Sequence, residues 1–418
     1  MVLAGIEQEG YLGRMEEGRI VGRDTIAGFL DRAIWWSLVA MIVAIPLAET
    51  PKTICFVSAV VFWLVRMAVA RDFRINMPRL GWFFLAWLGA TLLSTFNSEC
   101  GLKGVSDVLM YVSFFLLIVN VVDSERRIIQ LFWAVVVGIG IGDVAGLWRT
   151  ISEAVRMHAE MDRLYILSLG AVAPYLVMVL SLMMGVVYHV RLDKKEWFLI
   201  GLVALLSIAA LILTYTRSMW IVLLLVSIIF VVLQRSWWPA IAAAVLIAGL
   251  GLGLAMSSVI RDRAHELTKL QHDASLESRF GTWTGALAMV QDRPLLGVGA
   301  KCFMASRTKY QLPDGPLDLR QAHNQLLNVG AETGMIGLAA FLAWIGYYTV
   351  FLFKLAWSAR SNFAKALWLS AIGSLVTIVL HGMIDASFGS ELALLFMLIA
   401  GCLIAAQDLG ASPQERSV

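Results

Sequence analysis

Apolar stretches long enough to cross a bilayer recur along nearly the whole of this 418-residue chain. Each runs for about 18 to 25 residues, the length a helix needs to span roughly 30 Å of hydrocarbon. Hydrophobic residues make up 59% and charged residues 15% of the chain, and the mean hydropathy is +0.78. Such values exclude a soluble globular domain. Inside hydrocarbon every backbone N–H and C=O must be paired within the protein, so the spans are expected to be helices. They are expected near 28–48, 52–70, 80–97, 102–122, 128–148, 166–189, 196–215, 218–234, 238–257, 323–352, 363–382 and 390–407. The expected fold is an all-α integral membrane protein with about 12 transmembrane helices. Residues 1–27 are polar and contain no apolar core, so the first span is expected to serve as the insertion signal.

Lysine and arginine set the orientation. One set of connections carries Arg14, Arg19, Arg23, Arg71, Arg74, Arg79, Arg126, Arg127, Arg191, Lys194, Lys195, Arg235, Lys354, Arg360, Lys365 and Arg416. The alternate set carries only Lys52, Lys103, Arg149, Arg156, Arg163 and Arg217. Roughly 16 against about 6 is a positive-inside bias that places both termini in the cytoplasm. The chain then reads as a cytoplasmic segment 1–27, helices one to nine over 28–256, a long extracytoplasmic loop 257–322, helices ten to twelve over 323–407, and a cytoplasmic tail 408–418.

The long loop breaks the charge trend. It carries Arg261, Arg263, Arg279, Arg293, Arg307 and Arg320 on the face that topology keeps poor in cations. Two helical patterns appear in it: Val259 to Leu270, and a second from near Ser278 in which Phe280, Trp283, Leu287 and Val290 recur at helical spacing until Pro294. Lying flat on the membrane, the second helix would place Phe280 and Trp283 in the interface. The paired glycines of Pro294-Leu-Leu-Gly-Val-Gly299 suggest a tight turn or a close backbone approach. Ser306 to Leu319 is irregular and polar, as suits a flap over a site.

Several residues near this loop can do chemistry. Arg217 sits in a very short connection between two spans, either as a snorkelling cation or as a clamp for a lipid-linked phosphate at the interface. His323 is expected in the first turn of the tenth span, either packing there or accepting a proton near physiological pH. Behind it Gly330, Ala331, Gly334 and Gly337 offer a small-residue face to another helix. His381 and Asp385 lie one turn apart, and Asp385 can orient a histidine or an arginine. One His and one Asp are too few for a metal site, so no metal is expected. No Walker loop, dinucleotide fingerprint or zinc spacing occurs, so neither cofactor nor nucleic-acid partner is expected and any group transferred must come from an already activated donor. Asp143, in a glycine-rich stretch of the fifth span, reads as part of a close helix contact, and Asp107 and Arg66 read as snorkelling near span ends. Cys100 and Cys302 share the oxidising face, where they either pair or simply pack.

The Thr-Tyr-Thr-Arg-Ser connection at 214–218 resembles the O-antigen ligase and O-antigen polymerase superfamily. So do Arg279-Phe-x-x-Trp followed by Pro-Leu-Leu-Gly-Val-Gly, and His323-Asn-x-x-Leu followed by Glu332-x-Gly-x-x-Gly. The resemblance covers roughly Leu211 to Leu338. It implies an all-helical fold of about twelve spans, a periplasmic loop over the site, and glycan transfer from undecaprenyl pyrophosphate without nucleotide or metal. By the same resemblance His323 would be the acceptor-activating base, with Arg217 and Arg279 as pyrophosphate-binding groups. Arg163, Arg293, Asn324, His381 and Asp385 are the further candidates for substrate binding, and Arg149 and Arg156 are helpers at most. The expected partners are the lipid-linked glycan, a lipid A–core acceptor and membrane lipids, with the site facing the periplasm of a bacterial inner membrane. An O-antigen polymerase or a protein O-oligosaccharyltransferase would share the chemistry, whereas a transporter or flippase should show ionisable groups near the midplane.

Overall fold

A computed structural model describes residues 25–98, 100–157, 169, 171–236, 248–249, 274–306, 308–310, 321–356, 361–386 and 388–410. The described residues form an all-α integral membrane protein. Its helices are α1 Thr25–Ala44, α2 Glu49–Ala70, α3 Arg79–Ser94, α4 Lys103–Val121, α5 Glu125–Met157, α6 Val172–His189, α7 Lys194–Leu213, α8 Arg217–Gln234, α9 Ala274–Asp292, α10 Gln325–Leu355, α11 Asn362–Gly382 and α12 Ser390–Gly410. Ten of them are long and apolar enough to cross a membrane; α3 is shorter and is extended by a 3₁₀ turn at Thr95–Asn97. The ninth expected span, 238–257, and the amphipathic pattern at 259–270 fall almost entirely outside the described residues.

Helices α6 and α12 form the centre, buried along 78% and 83% of their apolar windows, whereas α2 is buried along only 11% of its own. Small residues allow the central contacts. On α6 Gly185 lies against the Ala366 carbonyl and Ser370 of α11, and Gly373 of α11 lies against Ser181 of α6. The serines Ser181 and Ser370 return their hydroxyls to the carbonyl four residues back, at 2.7 Å in both cases. Both hydroxyls are thereby paired where the two backbones approach. The fifth-span glycines behave as expected: Gly138 abuts the Val43 backbone of α1 and Gly140 abuts Val203 of α7. Asp143, fully buried beside them, accepts a 2.5 Å hydrogen bond from Ser207 of α7.

Two helices exceed the thickness of a bilayer. With 33 residues, α5 reaches about 50 Å at 1.5 Å per residue. Arg149 and Arg156 therefore lie on its helical extension, where Arg149 pairs with Glu153 at 2.9 Å. Helix α10 has 31 residues but is broken at Gly334, which takes φ 65° and ψ −169°. The segment after the break, 335–355, is about 32 Å long, enough to span the core without 325–333.

Sequence reading assigned the small residues around this break to helix packing; Gly330 and Ala331 do face α9, at Val290 and beside Ala286 and Met289, but at Gly334 the structure corrects that reading. The partner is the loop 294–299. At the break Ala331 and Glu332 have carbonyls without helical donors, and these accept from Val298 N–H at 2.9 Å and Gly299 N–H at 2.8 Å. Met335 and Ile336 have amides without helical acceptors, and these donate to Pro294 O at 2.8 Å and Leu295 O at 3.3 Å. Two bonds in each direction replace those the break removes. A Cβ at Gly334 would overlap the Leu295 backbone, and one at Gly297 (φ 66°) the backbone of Ala331 and Glu332. A second small core follows from this docking. Ala286, Met289, Val298, Phe303, Ala322 and Ala331 bury one another as a cap apart from the membrane core.

Candidate active site

Between the cap and the membrane core lies a cavity of about 1050 Å³. The starts of α4, α6, α8, α10 and α12 all border it, through Gly104, Val172, Ser218, Gln325 and Glu391 among others. Helices that enter the bilayer from one side must share this polarity. Five N-terminal ends consequently bring their partial positive charge to one space, which favours an anionic ligand.

His323 lines this cavity at 7% exposure. It does not lie in the first turn of α10, as expected. It precedes the cap residue Asn324 and takes a left-handed backbone, φ 48°. Five hydrogen bonds of its two neighbours hold it there. Asn324 accepts from Leu326 and Leu327 N–H, both at 3.0 Å, and donates to Met383 O at 3.2 Å. Ala322 donates its N–H to Asn328 at 3.0 Å, and its carbonyl accepts from Thr282 of α9 at 3.3 Å. A bulky residue adopts positive φ only where its surroundings impose it. Tyr215 (φ 52°) and Lys301 (φ 60°), flanking or lining the same cavity, share that conformation.

The histidine ring meets Asp385: Nδ1 lies 3.1 Å from Oδ1. The same oxygen accepts from Gln321 Nε2 and from Ala386 N–H, each at 2.8 Å. Burial pushes the Asp385 carboxyl up, but the His323 hydrogen bond, the charges of His381 and His323 and the Ala386 amide together hold it below the ordinary aspartate range. An ionised carboxylate only accepts, so Nδ1 carries the proton and Nε2 is the basic nitrogen.

Next to this pair are His381 and Arg279. His381 is 5% exposed, lines the cavity, and its Nδ1 has no hydrogen-bond partner among the described residues. Arg279 of α9 lines the cavity as well, with Nε buried and likewise unpartnered. A guanidinium with a buried, unused donor suits an incoming oxyanion.

Other candidates lie elsewhere. Arg217, the first residue of α8, stands between Thr216 and Ser218, both of which line the cavity, but it is not itself a lining residue. Arg293 follows the end of α9 and does not line the cavity either, and Asn324 serves as the helix cap. Arg163 lies outside the described residues.

The structure adds residues with no motif. Trp87 of α3 and Asp107 and Tyr111 of α4 form part of the wall, and Asp107, read as snorkelling, pairs with the Lys301 ammonium. Glu391 binds Lys52 of α2 at 2.7 Å, with both side chains almost fully buried, and Glu49 approaches the same lysine at 2.6 Å. Glu332 accepts from Phe303 N–H at 3.3 Å and from Lys301 N–H. Cys100 and Cys302 form a disulfide with Cα atoms 5.7 Å apart, tying the α3–α4 connection to the loop.

Residues 202–342 match the family described as O-antigen ligase. The matched segment runs from α7 into the second part of α10 and contains Arg217, Arg279, Lys301 and His323. It supports a glycosyltransferase-type enzyme of the O-antigen ligase and polymerase superfamily. No curated protein matches the chain.

Proposed function

We propose that this chain is an O-antigen ligase. It would move a glycan from undecaprenyl pyrophosphate to a sugar hydroxyl of lipid A–core, at the periplasmic face of a bacterial inner membrane. The observation that carries this reading is the His323–Asp385 pair sharing one cavity with the unpartnered donor of Arg279. In the proposed step the acceptor oxygen attacks the anomeric carbon from the face opposite the pyrophosphate. His323 Nε2 takes the hydroxyl proton while Asp385 stabilises the imidazolium that forms. The bond from the anomeric carbon to the phosphate oxygen breaks, with inversion, and undecaprenyl pyrophosphate departs with the electron pair. Arg279, the converging helix ends and Arg217 at the rim would stabilise the charge growing on that leaving group. Polymerase or protein-acceptor chemistry would use the same residues and differs only in what enters opposite the donor.

The deciding experiment reconstitutes the purified protein with lipid-linked glycan and lipopolysaccharide lacking O-antigen. A longer lipopolysaccharide supports the ligase reading. Elongation of the lipid-linked glycan alone would make the protein a polymerase. Arg217→Lys sharpens the assignment of the clamp: a residue gripping pyrophosphate through two parallel hydrogen bonds loses most activity as lysine. A snorkelling cation does not.

A further inference from the structure

Lys301 presents a mismatch between how firmly it is held and how little its visible contact gives. Its ammonium pairs with Asp107, the two side chains being 54% and 27% exposed. Ion pairs this open to water stabilise a fold very little. The segment that presents the lysine is nevertheless fixed on every side. Its backbone is left-handed, a conformation a lysine does not choose by itself. The Glu332 carboxylate holds the amides of Lys301 and Phe303. Cys302 is bonded to Cys100, and Ala300 donates to Ser94 Oγ at 3.3 Å while packing on Gly104, where no side chain would fit. Gly299, the residue before, is bound to the Glu332 carbonyl. A weak pair does not explain restraint on this scale. A cation that has to meet a ligand at a set point in the cavity does.

We propose that Lys301 is a further phosphate-binding residue, held by Asp107 in the empty cavity and transferred to a donor phosphate oxygen when the donor binds. The inference rests on the reading of the cavity as a polyprenyl-pyrophosphate site. Phosphate oxygens and the Asp107 carboxylate compete for the same ammonium, so entry of the donor breaks one ion pair and makes another. After transfer the exchange runs backwards. Asp107 reclaims Lys301 and loosens the hold on undecaprenyl pyrophosphate, which has to leave before the next cycle.

The test measures undecaprenyl pyrophosphate affinity of the full-length protein in nanodiscs, with undecaprenol as the uncharged control. Lys301→Gln should weaken the pyrophosphate by about tenfold, the scale of one charged hydrogen bond, leave undecaprenol unchanged, and be largely rescued by Lys301→Arg. Asp107→Asn should tighten binding by about two- to fivefold, because the competitor for the lysine is gone. In the Lys301→Gln background Asp107→Asn should have no effect. Equal tightening with and without the lysine would mean that Asp107 merely repels phosphate, and the exchange would be wrong. Unchanged affinity in both single variants, with Arg279→Ala still losing it, would overturn the proposal and leave the ligase reading intact. Failure of the wild-type protein to bind undecaprenyl pyrophosphate at all would overturn both.

Discussion

The two walls of the cavity are made differently. One, from α9 through the end of α11, presents Arg279 and His381 from helices and His323 and Asp385 from the irregular backbone beside them, next to a left-handed residue, a capped helix start and a broken helix. The other, from α3, α4 and the start of α12 with Lys52 behind it, presents Trp87, Asp107, Tyr111 and Glu391 from regular helices. Irregular backbone demands particular residues at fixed spacing, so the first wall leaves short motifs in the chain. A regular helix accepts almost any residue at a given position, and the second wall leaves none. Under the proposed function, chemistry resides in the first wall, and shape and substrate selection reside in the second.

The strongest test of that division pairs one residue from each wall. His323→Ala should lower turnover by roughly 10² to 10⁴, as expected for loss of a general base, with donor binding retained. Trp87→Ala should act mainly on substrate affinity. Single-turnover rates that fall equally in the two variants would erase the distinction.

Next in size is the ion pair behind the second wall. Lys52→Met leaves Glu391 buried without its partner and should cost about 3 to 5 kcal/mol, while the double variant Lys52→Met/Glu391→Gln should recover most of it. Denaturation in detergent measures both. No recovery in the double variant would show that the charges themselves are needed.

A smaller loss is expected at the broken helix. Gly334→Ala places a side chain at positive φ against Leu295 and should cost about 2 to 3 kcal/mol. Gly89→Ala on α3, with open space around its position, should stay within about 0.5 kcal/mol. Equal losses would mean the first wall is no more exacting than the second.

The smallest effect concerns pH. The Asp385 carboxyl is depressed in the fold, so its contribution is present above the ordinary aspartate value of about 4 and is lost as pH falls through the lower folded value. Wild type should therefore outlast Asp385→Asn in thermal denaturation at neutral pH, with the gap closing only in that acidic window. A gap that closes near neutrality would contradict the depressed value.

Much of this architecture was legible. Hydropathy placed the spans because a helix pairs its whole backbone within itself, and α1 to α8 and α10 to α12 overlap the expected stretches, with α5 running on to Met157 and α6 starting at Val172. The loop motifs drew attention to Arg279 and His323, which do line the cavity. What escaped was pairing. Lys52 counted only as a loop charge, since its partner Glu391 lies 339 residues away. Asp107 looked like a residue at a span end, because only the folded loop brings Lys301 to it. The first-turn position given to His323 failed because Asn324, a strong cap, takes over the helix start. Arg217 and Arg293 look much like Arg279 in sequence, and cationic character alone does not show which side chains face inward.

The break at Gly334 also bears on how the protein is made. Until 294–299 docks, two carbonyls and two amides stand unpaired where α10 meets the bilayer surface, each costing several kcal/mol if lipid covers it. The broken form of α10 therefore depends on this loop and cannot precede its docking. It has to wait at the surface, where water can serve those groups, until the preceding loop has come into place. Placement of His323 is then a late event in biogenesis, and a nascent chain halted before the loop docks would be fully inserted without a finished cavity.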